Sequence, residues 1–201
     1  LMQAVSIFFK HEKSAIFLVV GSGPLEKSIL SHFSKLKLKK QLRLAGEMKG
    51  AKLIEAYQAI DVFAFASQSE TQGMVLNEAM AAGTPVVAVD APGARDIVKD
   101  KINGRLVDTE NKEKFAQALS WVFDRSLAQR KKLSEGAKET AKKYSVEQSA
   151  SKAIDVYENL KRASVSGKKL NKEEILPFLK TVSTEWDLLS NFTKATVGAF
   201  Q

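Results

Sequence analysis

Short apolar segments alternate with helical patterns over roughly the first 110 residues of this 201-residue chain. Each segment is four or five residues long, which is a usual length for a strand in a sheet. The predicted strands are residues 16–20, 42–45, 62–66, 85–89 and 104–107. Because strands and helices alternate, we expect an α/β fold with a parallel sheet covered by helices on both faces. Ligands in such sheets bind at the carboxyl ends of the strands.

Helical patterns occupy the intervals between these strands and the rest of the chain. The predicted helices begin with an amphipathic pattern from Leu1 to Phe9 and continue over residues 25–36, 52–58, 73–82, 94–98, 112–123, 127–143, 146–161, 172–183 and 184–200. Residues 163–171 are small, polar and lysine-containing, which predicts a linker. We therefore expect a main domain over residues 1–162 and a helical extension over residues 163–201.

Composition excludes several kinds of site. Cysteine is absent and histidine occurs only as His11 and His32, so disulfide scaffolds, cysteine nucleophiles and histidine-rich metal sites are ruled out. No apolar segment approaches the roughly 20 residues that span a bilayer, and no signal peptide is visible. We expect a cytoplasmic location, with peripheral association at the inner face of the membrane left open. The chain opens with Leu1 instead of Met, so we expect a fragment.

The chain is basic, with 31 Lys and Arg against 23 Asp and Glu, a formal net charge of +8. A dense run of cations has leucines between its members; the cations are Lys35, Lys37, Lys39, Lys40 and Arg43. Such a run either contacts an anionic membrane surface or is a solvated helix end whose lysines complement the helix dipole, and we favour the second interpretation. No nucleic-acid-binding motif is present, so we expect no nucleic-acid partner.

Two glutamates lie eight positions apart across the start of a predicted helix. Glu70 is in the loop after the third strand, and Glu78 is about one turn inside the helix. The backbone amides of Gly73, Met74 and Val75 belong to the first turn, where they have no partners within the helix and suit a diphosphate or a sugar hydroxyl. Carboxylates on either side would accept hydrogen bonds from vicinal hydroxyls. The alternative is a helix-capping Glu70 and a solvated Glu78.

Residues 69–88 resemble the E-x7-E signature of family 4 glycosyltransferases, the retaining GT-B enzymes. Further segments resemble the same family, and the resemblance extends from Leu1 to about Lys161; these segments are residues 19–25, 44–46, 56–67, 91–98 and 103–107. The resemblance implies a Rossmann-like domain that forms the C-terminal, donor-binding half of a GT-B enzyme. Its first strand and the acceptor-binding N-terminal domain would then lie upstream of Leu1.

The resemblance also implies roles for the residues of the signature. Glu70 would contact hydroxyls of the transferred sugar and support positive charge at the anomeric carbon, which makes it the catalytic residue. The amides of Gly73, Met74 and Val75 would hold the sugar and the diphosphate. Glu78 would bind the ribose hydroxyls.

Two further loops would complete the donor site. Gly21 and Gly23 would let the loop after the first strand close against the donor, and Met48 would lie near the base. No metal is implied, because no Asp-x-Asp motif is present to hold one, and no cofactor is expected beyond the nucleotide-sugar substrate.

The function implied is retaining transfer of a hexose from a nucleotide-sugar to an acceptor. Thr71 and Gln72 depart from the usual Gly-Phe and resemble the bacterial diacylglycerol glucosyltransferases, which favours a membrane lipid as acceptor. This chain alone would be inactive without the N-terminal half. The alternative is a non-catalytic module that binds a nucleotide-sugar or a membrane, and a weaker one is a sugar-nucleotide epimerase of similar architecture.

Overall fold

The computed structural model describes residues 1–68, 73–108 and 111–165, with side chains up to residue 162. The strands are β1 (Phe17–Val19), β2 (Leu42–Leu44), β3 (Phe63–Phe65), β4 (Val86–Val89) and β5 (Gly104–Val107). The helices are α1 (Met2–His11), α2 (Glu26–Lys35), α3 (Ala51–Gln58), α4 (Met74–Ala81), α5 (Pro92–Ile97), α6 (Lys112–Phe123), α7 (Leu127–Lys143) and α8 (Val146–Val165). All five predicted strands are confirmed, each within two residues of its predicted ends.

The strands are parallel, as predicted, but the described ones form two sheets instead of one. β1 pairs with β2, with Phe17 opposite Leu42. β4 lies between β3 and β5, with Val86 opposite both Phe63 and Gly104. Among the described strands, all except β4 have one edge without a partner, β1 and β3 included. The side chains of both strands nevertheless pack against one apolar cluster.

The central strand of the larger sheet is covered on both faces. Val86 and Ala88 pack in a cluster with apolar side chains of α4 and α5. Val87 and Val89 point the other way, into a cluster with α1 and α6. This alternation follows from the two-residue side-chain period of a strand, and all four residues are buried. Helices therefore lie on both faces, as the sequence predicts.

A buried asparagine closes the turn that leads into β5. The Asn103 side chain accepts from the backbone N–H of Lys99 and donates to the carbonyl of Ile97 and the hydroxyl of Thr140. Asn103 is fully buried, so these bonds replace the water that its amide loses on folding. They also attach α7 to the larger sheet, since Thr140 lies on that helix.

Some boundaries differ from the sequence-based expectations. A 3₁₀ turn at Lys39–Gln41 precedes β2 and was not predicted. α8 continues to Val165, so residues 163–165 are helical and the expected linker start at 163 is wrong. The helices predicted over residues 172–183 and 184–200 lie outside the described residues. Leu1–Lys142 form one compact unit, and a second unit begins at Lys143. The division at residue 162 stays a prediction.

Close contact between β4 and β5 generates a stability prediction. A Cβ added at Gly104 would overlap with the backbone carbonyl of Val86, which cannot move without breaking the strand pairing. We expect Gly104→Ala to lower the free energy of unfolding by about 3 kcal/mol in urea denaturation. Gly23→Ala is the control, because no heavy atom lies within 4 Å of its added Cβ. Equal stability of the two variants would contradict this packing.

Candidate functional site

Two loops meet at the carboxyl ends of β1 and β2. The backbone N–H of Gly21 donates to the carbonyl of Gly46 at 2.8 Å. Beside this bridge the Ser22 hydroxyl donates to Glu47 Oε1 at 2.6 Å. Gly21 has a φ of 128°, which favours glycine at this position. The loop after β1 is therefore held against the loop after β2 by one backbone and one side-chain hydrogen bond.

The bridge brings three predicted site residues to the same end of the smaller sheet. Gly21 and Gly23 lie on the first loop, and Met48 follows Glu47 on the second. Gly23 is exposed, and its carbonyl accepts from the N–H of Glu26 at the start of α2. Met48 is half-buried. Sequence reasoning singled out neither Ser22 nor Glu47, because nothing in the sequence shows that two loops 25 residues apart touch.

The first turn of α4 presents backbone donors. The carbonyl of Gly73 accepts from the amides of Leu76 and Asn77, at 2.8 and 3.1 Å, and so begins the helix. The amides of Met74 and Val75 have no hydrogen-bond partner among the residues that the structure describes. Together with the positive end of the helix dipole they form a site suited to an anion.

Glycine is required at position 73 both by its backbone conformation and by its packing. Gly73 adopts the left-handed conformation, with φ 61° and ψ 32°. An added Cβ would lie 2.9 Å from Leu76 Cδ1, 3.0 Å from the Gly93 carbonyl and 3.1 Å from Ile97 Cδ1. That side of Gly73 therefore packs on α5, and a larger residue would not fit there. Backbone conformation and helix packing account for the glycine.

Glu78 is exposed but has a fixed partner. The hydroxyl of Tyr57, on α3, donates to Glu78 Oε2 at 3.0 Å. The ring of Tyr57 is buried and packs edge-on against Phe63, with ring centroids 5.6 Å apart. Burial raises the pKa of the Tyr57 hydroxyl, and the charge and hydrogen bond of Glu78 raise it further. Glu78 is thus more than a freely solvated surface residue: α3 positions its carboxylate.

Sequence reasoning missed Tyr57. The available signal is a tyrosine four residues after Leu53 on the inward face of α3, since a buried hydroxyl needs a hydrogen-bond partner. Which acceptor it finds is decided by how α3 packs on α4. That contact joins residues 21 positions apart.

Glu70 lies in the segment 69–72, outside the described residues. This segment joins Gln68, just after β3, to Gly73 at the start of α4. The pairing of Glu70 with Glu78 around one ligand therefore stays a prediction.

A further ion pair lies at the carboxyl end of β4. Arg95, on α5, donates from Nε to Asp90 Oδ1 at 2.6 Å. The Arg95 side chain is 61% exposed and the Asp90 side chain 27%. The structure therefore places one accessible cation on the helix that packs beside Gly73, although the sequence analysis did not select it.

The described part of the chain contains neither a candidate metal site nor a candidate membrane-spanning helix. Its His, Asp and Glu residues include no group of three or more that could hold a metal ion. Its helices include none that is both long and apolar enough to cross a membrane.

Comparison with known proteins identifies the family. Residues 1–140 match the family of glycosyl transferases group 1. The chain belongs to this family. This membership agrees with the resemblance of the E-x7-E segment and with the Rossmann-like α/β fold that the resemblance implies.

Two curated relatives show the range of this glycosyltransferase family. The D-inositol 3-phosphate glycosyltransferase of Saccharomonospora viridis is 34% identical over 148 residues, which cover 71% of this chain and 34% of the relative. The alpha-monoglucosyldiacylglycerol synthase of Streptococcus pneumoniae is 32% identical over 109 residues, which cover 52% of this chain and 25% of the relative. The chain thus spans between a quarter and about a third of the length of these two proteins.

Solved GT-B glycosyltransferases share the fold of this chain. A mutant of S. aureus TarM, in complex with fondaparinux, alpha-GlcNAc-glycerol and UDP, superposes with a TM-score of 0.67 and 24% identity. The match covers 77% of this chain and 31% of TarM. The expected GT-B type of fold is confirmed.

The contact between Tyr57 and Glu78 predicts an unusual titration. Free tyrosine ionises near pH 10, and the raised pKa of Tyr57 moves its ionisation to higher pH. Neutral Tyr57 therefore stabilises the fold below about pH 10, and this contribution is lost as the pH rises toward the folded-state pKa. In a spectrophotometric pH titration, we expect part of the phenolate absorbance to appear only well above pH 10. We call this part the late phase, and Tyr57→Phe should remove it.

Glu78→Gln tests the cause of that shift. It removes the negative charge but leaves the burial, so the late phase should move part of the way toward pH 10. Glu55→Gln, on the same helix as Tyr57, is the matched control and should leave the phase in place. A titration curve that Glu78→Gln does not change would contradict the contact.

Proposed function

We propose that this chain is the donor-binding half of a retaining glycosyltransferase that transfers a hexose from a nucleotide-sugar. The observation that carries the proposal is the first turn of α4, whose Met74 and Val75 amides are unpartnered among the described residues. Glu78 lies one turn further on, held by Tyr57. Family membership and the UDP in the TarM complex support a nucleotide-sugar as the ligand.

In this proposal the diphosphate and the sugar bind at the amino end of α4. Met74 and Val75 donate to phosphate or sugar oxygens, and Gly73 begins the turn that orients both amides. The helix dipole adds attraction for the negative charge. Because a carboxylate repels phosphate, Glu78 serves the ribose, whose two hydroxyls donate to its oxygens. The hydrogen bond from Tyr57 limits the rotation of Glu78 and leaves acceptor capacity on its two oxygens.

The base lies, in the same proposal, beside the loops that follow β1 and β2. Gly21 and Gly23 allow the first loop to approach the donor, and Met48 contacts the base mainly through its backbone. The bond between Ser22 and Glu47 supports this role, because it holds the two loops together before a ligand binds. Preorganised loops lose less conformational entropy on binding.

Glu70 is proposed as the catalytic residue. Retention follows when the acceptor hydroxyl attacks the anomeric carbon from the face that the diphosphate leaves. The bond from the anomeric carbon to the phosphate oxygen breaks, the bond to the acceptor oxygen forms, and the acceptor proton passes to the departing phosphate. Glu70 stabilises the positive charge on the sugar during this exchange. No metal is proposed, since amides and the helix dipole supply the electrostatic stabilisation.

The acceptor side of the site is proposed to come from a separate N-terminal domain, so the chain alone binds donor without transferring sugar. A strand from outside the chain is also proposed to lie between β1 and β3. Support comes from the unpaired edge that each of these strands has among the described elements, while their side chains share one core cluster. Such a strand would join the two sheets into one.

The proposed acceptor is a membrane lipid, with the protein bound peripherally at the cytoplasmic face of the membrane. The relative that is an alpha-monoglucosyldiacylglycerol synthase supports this, as do Thr71 and Gln72 in the signature. The net charge of +8 favours contact with anionic lipid headgroups. The alternative of a non-catalytic binding module is not favoured, because the matched family consists of glycosyl transferases.

Calorimetry tests the donor site directly. UDP, GDP, ADP and their sugar conjugates are titrated into the chain with EDTA present, and we expect one nucleotide series to bind. Glu78→Gln should weaken that binding about tenfold or more, because a hydrogen bond to a charged group contributes about 1.5–3 kcal/mol. Glu55→Gln changes the same functional group on α3 and should bind like the unchanged chain. Failure of every nucleotide to bind would overturn the proposal.

Transfer tests the role of Glu70. In a longer protein that includes the acceptor-binding half, we expect Glu70→Gln to lower the transfer rate about 10²–10³-fold, as for loss of a group that stabilises transition-state charge. The substrates are the donor selected by calorimetry and diacylglycerol in vesicles. Nucleotide affinity should change little, since Glu70 contacts the sugar.

Glu139→Gln, on the exposed surface of α7, is the control for the charge change. It should transfer at the unchanged rate. If the Glu70→Gln protein transferred sugar as fast as this control, Glu70 would not be the catalytic residue. The donor binding measured by calorimetry would be unaffected by that result.

A further inference from the structure

The amino ends of β1 and β2 carry a concentrated positive surface. Parallel pairing of Phe17 with Leu42 sets the segments that precede the two strands side by side. The Gln41 side chain joins them by donating to the carbonyls of Glu12 and Ala15, at 3.1 Å each. We name this surface the basic end; it consists of Lys13, Ile16, Lys35, Leu36, Lys37, Lys39 and Lys40.

The charges of the basic end are not neutralised within the described structure. Its five lysines are all exposed, and none of them is in an ion pair with another described residue. Glu12 is the acidic residue nearest in sequence and is half-buried. The guanidinium of neighbouring Arg43 donates to the carbonyls of Lys40 and Leu42 instead of to a carboxylate. The surface therefore needs an anionic partner or remains solvated.

Exposed aliphatic side chains accompany the lysines. Ile16 is 57% exposed and Leu36 is 47% exposed. The aromatic residues of this region, Phe17 and Phe33, pack against each other with centroids 5.9 Å apart. Single-stranded nucleic acid is bound by exposed aromatic rings among cations, whereas lipid interfaces are bound by aliphatic side chains among lysines. The composition of the basic end fits a bilayer better than it fits a nucleic acid.

Lys37 occupies a position that normally favours glycine. It has a φ of 59°, in the left-handed region, just after the end of α2. The amide of Lys37 donates to the Ser34 carbonyl and that of Leu38 to the Phe33 carbonyl, the two bonds of a Schellman helix end. A lysine there is less stable than glycine would be. A glycine at position 37 would therefore remove the charge without a loss of backbone stability.

The unpaired lysines and the exposed aliphatic side chains beside them argue against the solvated helix end that the sequence alone favours. We propose that the basic end binds an anionic bilayer, with the five lysines at the headgroups and Ile16 and Leu36 at the acyl boundary. The inference rests on the proposed peripheral membrane association and specifies the surface responsible. The loops that carry Gly21, Gly23 and Met48 follow β1 and β2, so they lie at the other end of these strands. Membrane binding therefore leaves the donor loops open to the aqueous phase.

Vesicle sedimentation tests this surface with the 201-residue chain. We expect binding to vesicles of phosphatidylcholine with 30% phosphatidylglycerol, weakening with salt, and much weaker binding to phosphatidylcholine alone. Lys37→Gly should weaken binding about fivefold, the equivalent of about 1 kcal/mol for one surface cation. Its melting temperature should stay equal or rise, because glycine suits the left-handed conformation. Lys39→Glu with Lys40→Glu should abolish most of the binding.

The matched control is Lys112→Glu with Lys114→Glu. It changes the net charge by the same amount at the start of α6, which follows the carboxyl end of β5. Glutamates suit the first turn of a helix, and the pair of Lys114 with Asp108 is exposed, so the fold should be retained. We expect this variant to bind vesicles nearly as well as the unchanged chain.

Several outcomes would overturn the proposal. Equal losses in the control and in the basic-end variants would mean that net charge alone drives binding. Tighter binding to a single-stranded RNA, with the same sensitivity to Lys37→Gly, would assign the surface to nucleic acid. If the unchanged chain did not bind anionic vesicles, the proposed peripheral association with the membrane would be wrong as well. Nucleotide binding is measured separately by calorimetry, so its success or failure is distinguishable from all three.

Discussion

Parallel pairing of very short strands is the constraint on which this structure depends. Strands of three or four residues expose little hydrogen-bonding edge, so the layers of helices on either side supply most of the stabilisation. β4 shows this most clearly, because its alternate side chains belong to two different apolar clusters. Parallel order also gathers the carboxyl ends of the strands within each sheet, and the candidate donor residues are on the loops that start there and on the first turns of α4.

The candidate site is organised by helix packing as much as by its own residues. Gly73 begins α4 in a left-handed conformation, and its missing side chain makes room for α5. Tyr57 extends from α3 to the Glu78 carboxylate, so two helices cooperate in orienting one acidic group. A site built this way needs little rearrangement when a ligand arrives, which reduces the entropic cost of binding.

The smaller sheet has chemically different ends. Its carboxyl end has glycine loops joined by the bond between Ser22 and Glu47, which suits a close approach of a polar ligand. Its amino end has exposed lysines interleaved with Ile16 and Leu36. Because the two ends are separated by the strands themselves, an anionic surface and a nucleotide would occupy the protein without competing for the same residues.

The sequence by itself determined the strands, the order of helices and the residues of the signature, because these depend on local periodicity, on glycine positions and on spacing along the chain. Tertiary structure alone decided that the described strands form two sheets, that Tyr57 holds Glu78, and that Gly73 packs against α5. Each of these depends on contacts between segments far apart in the chain, and a one-dimensional pattern does not record which segments meet. The same reason explains the basic end: its lysines are visible in the sequence, but only the pairing of β1 with β2 sets Lys13 and Ile16 beside the lysines that follow α2.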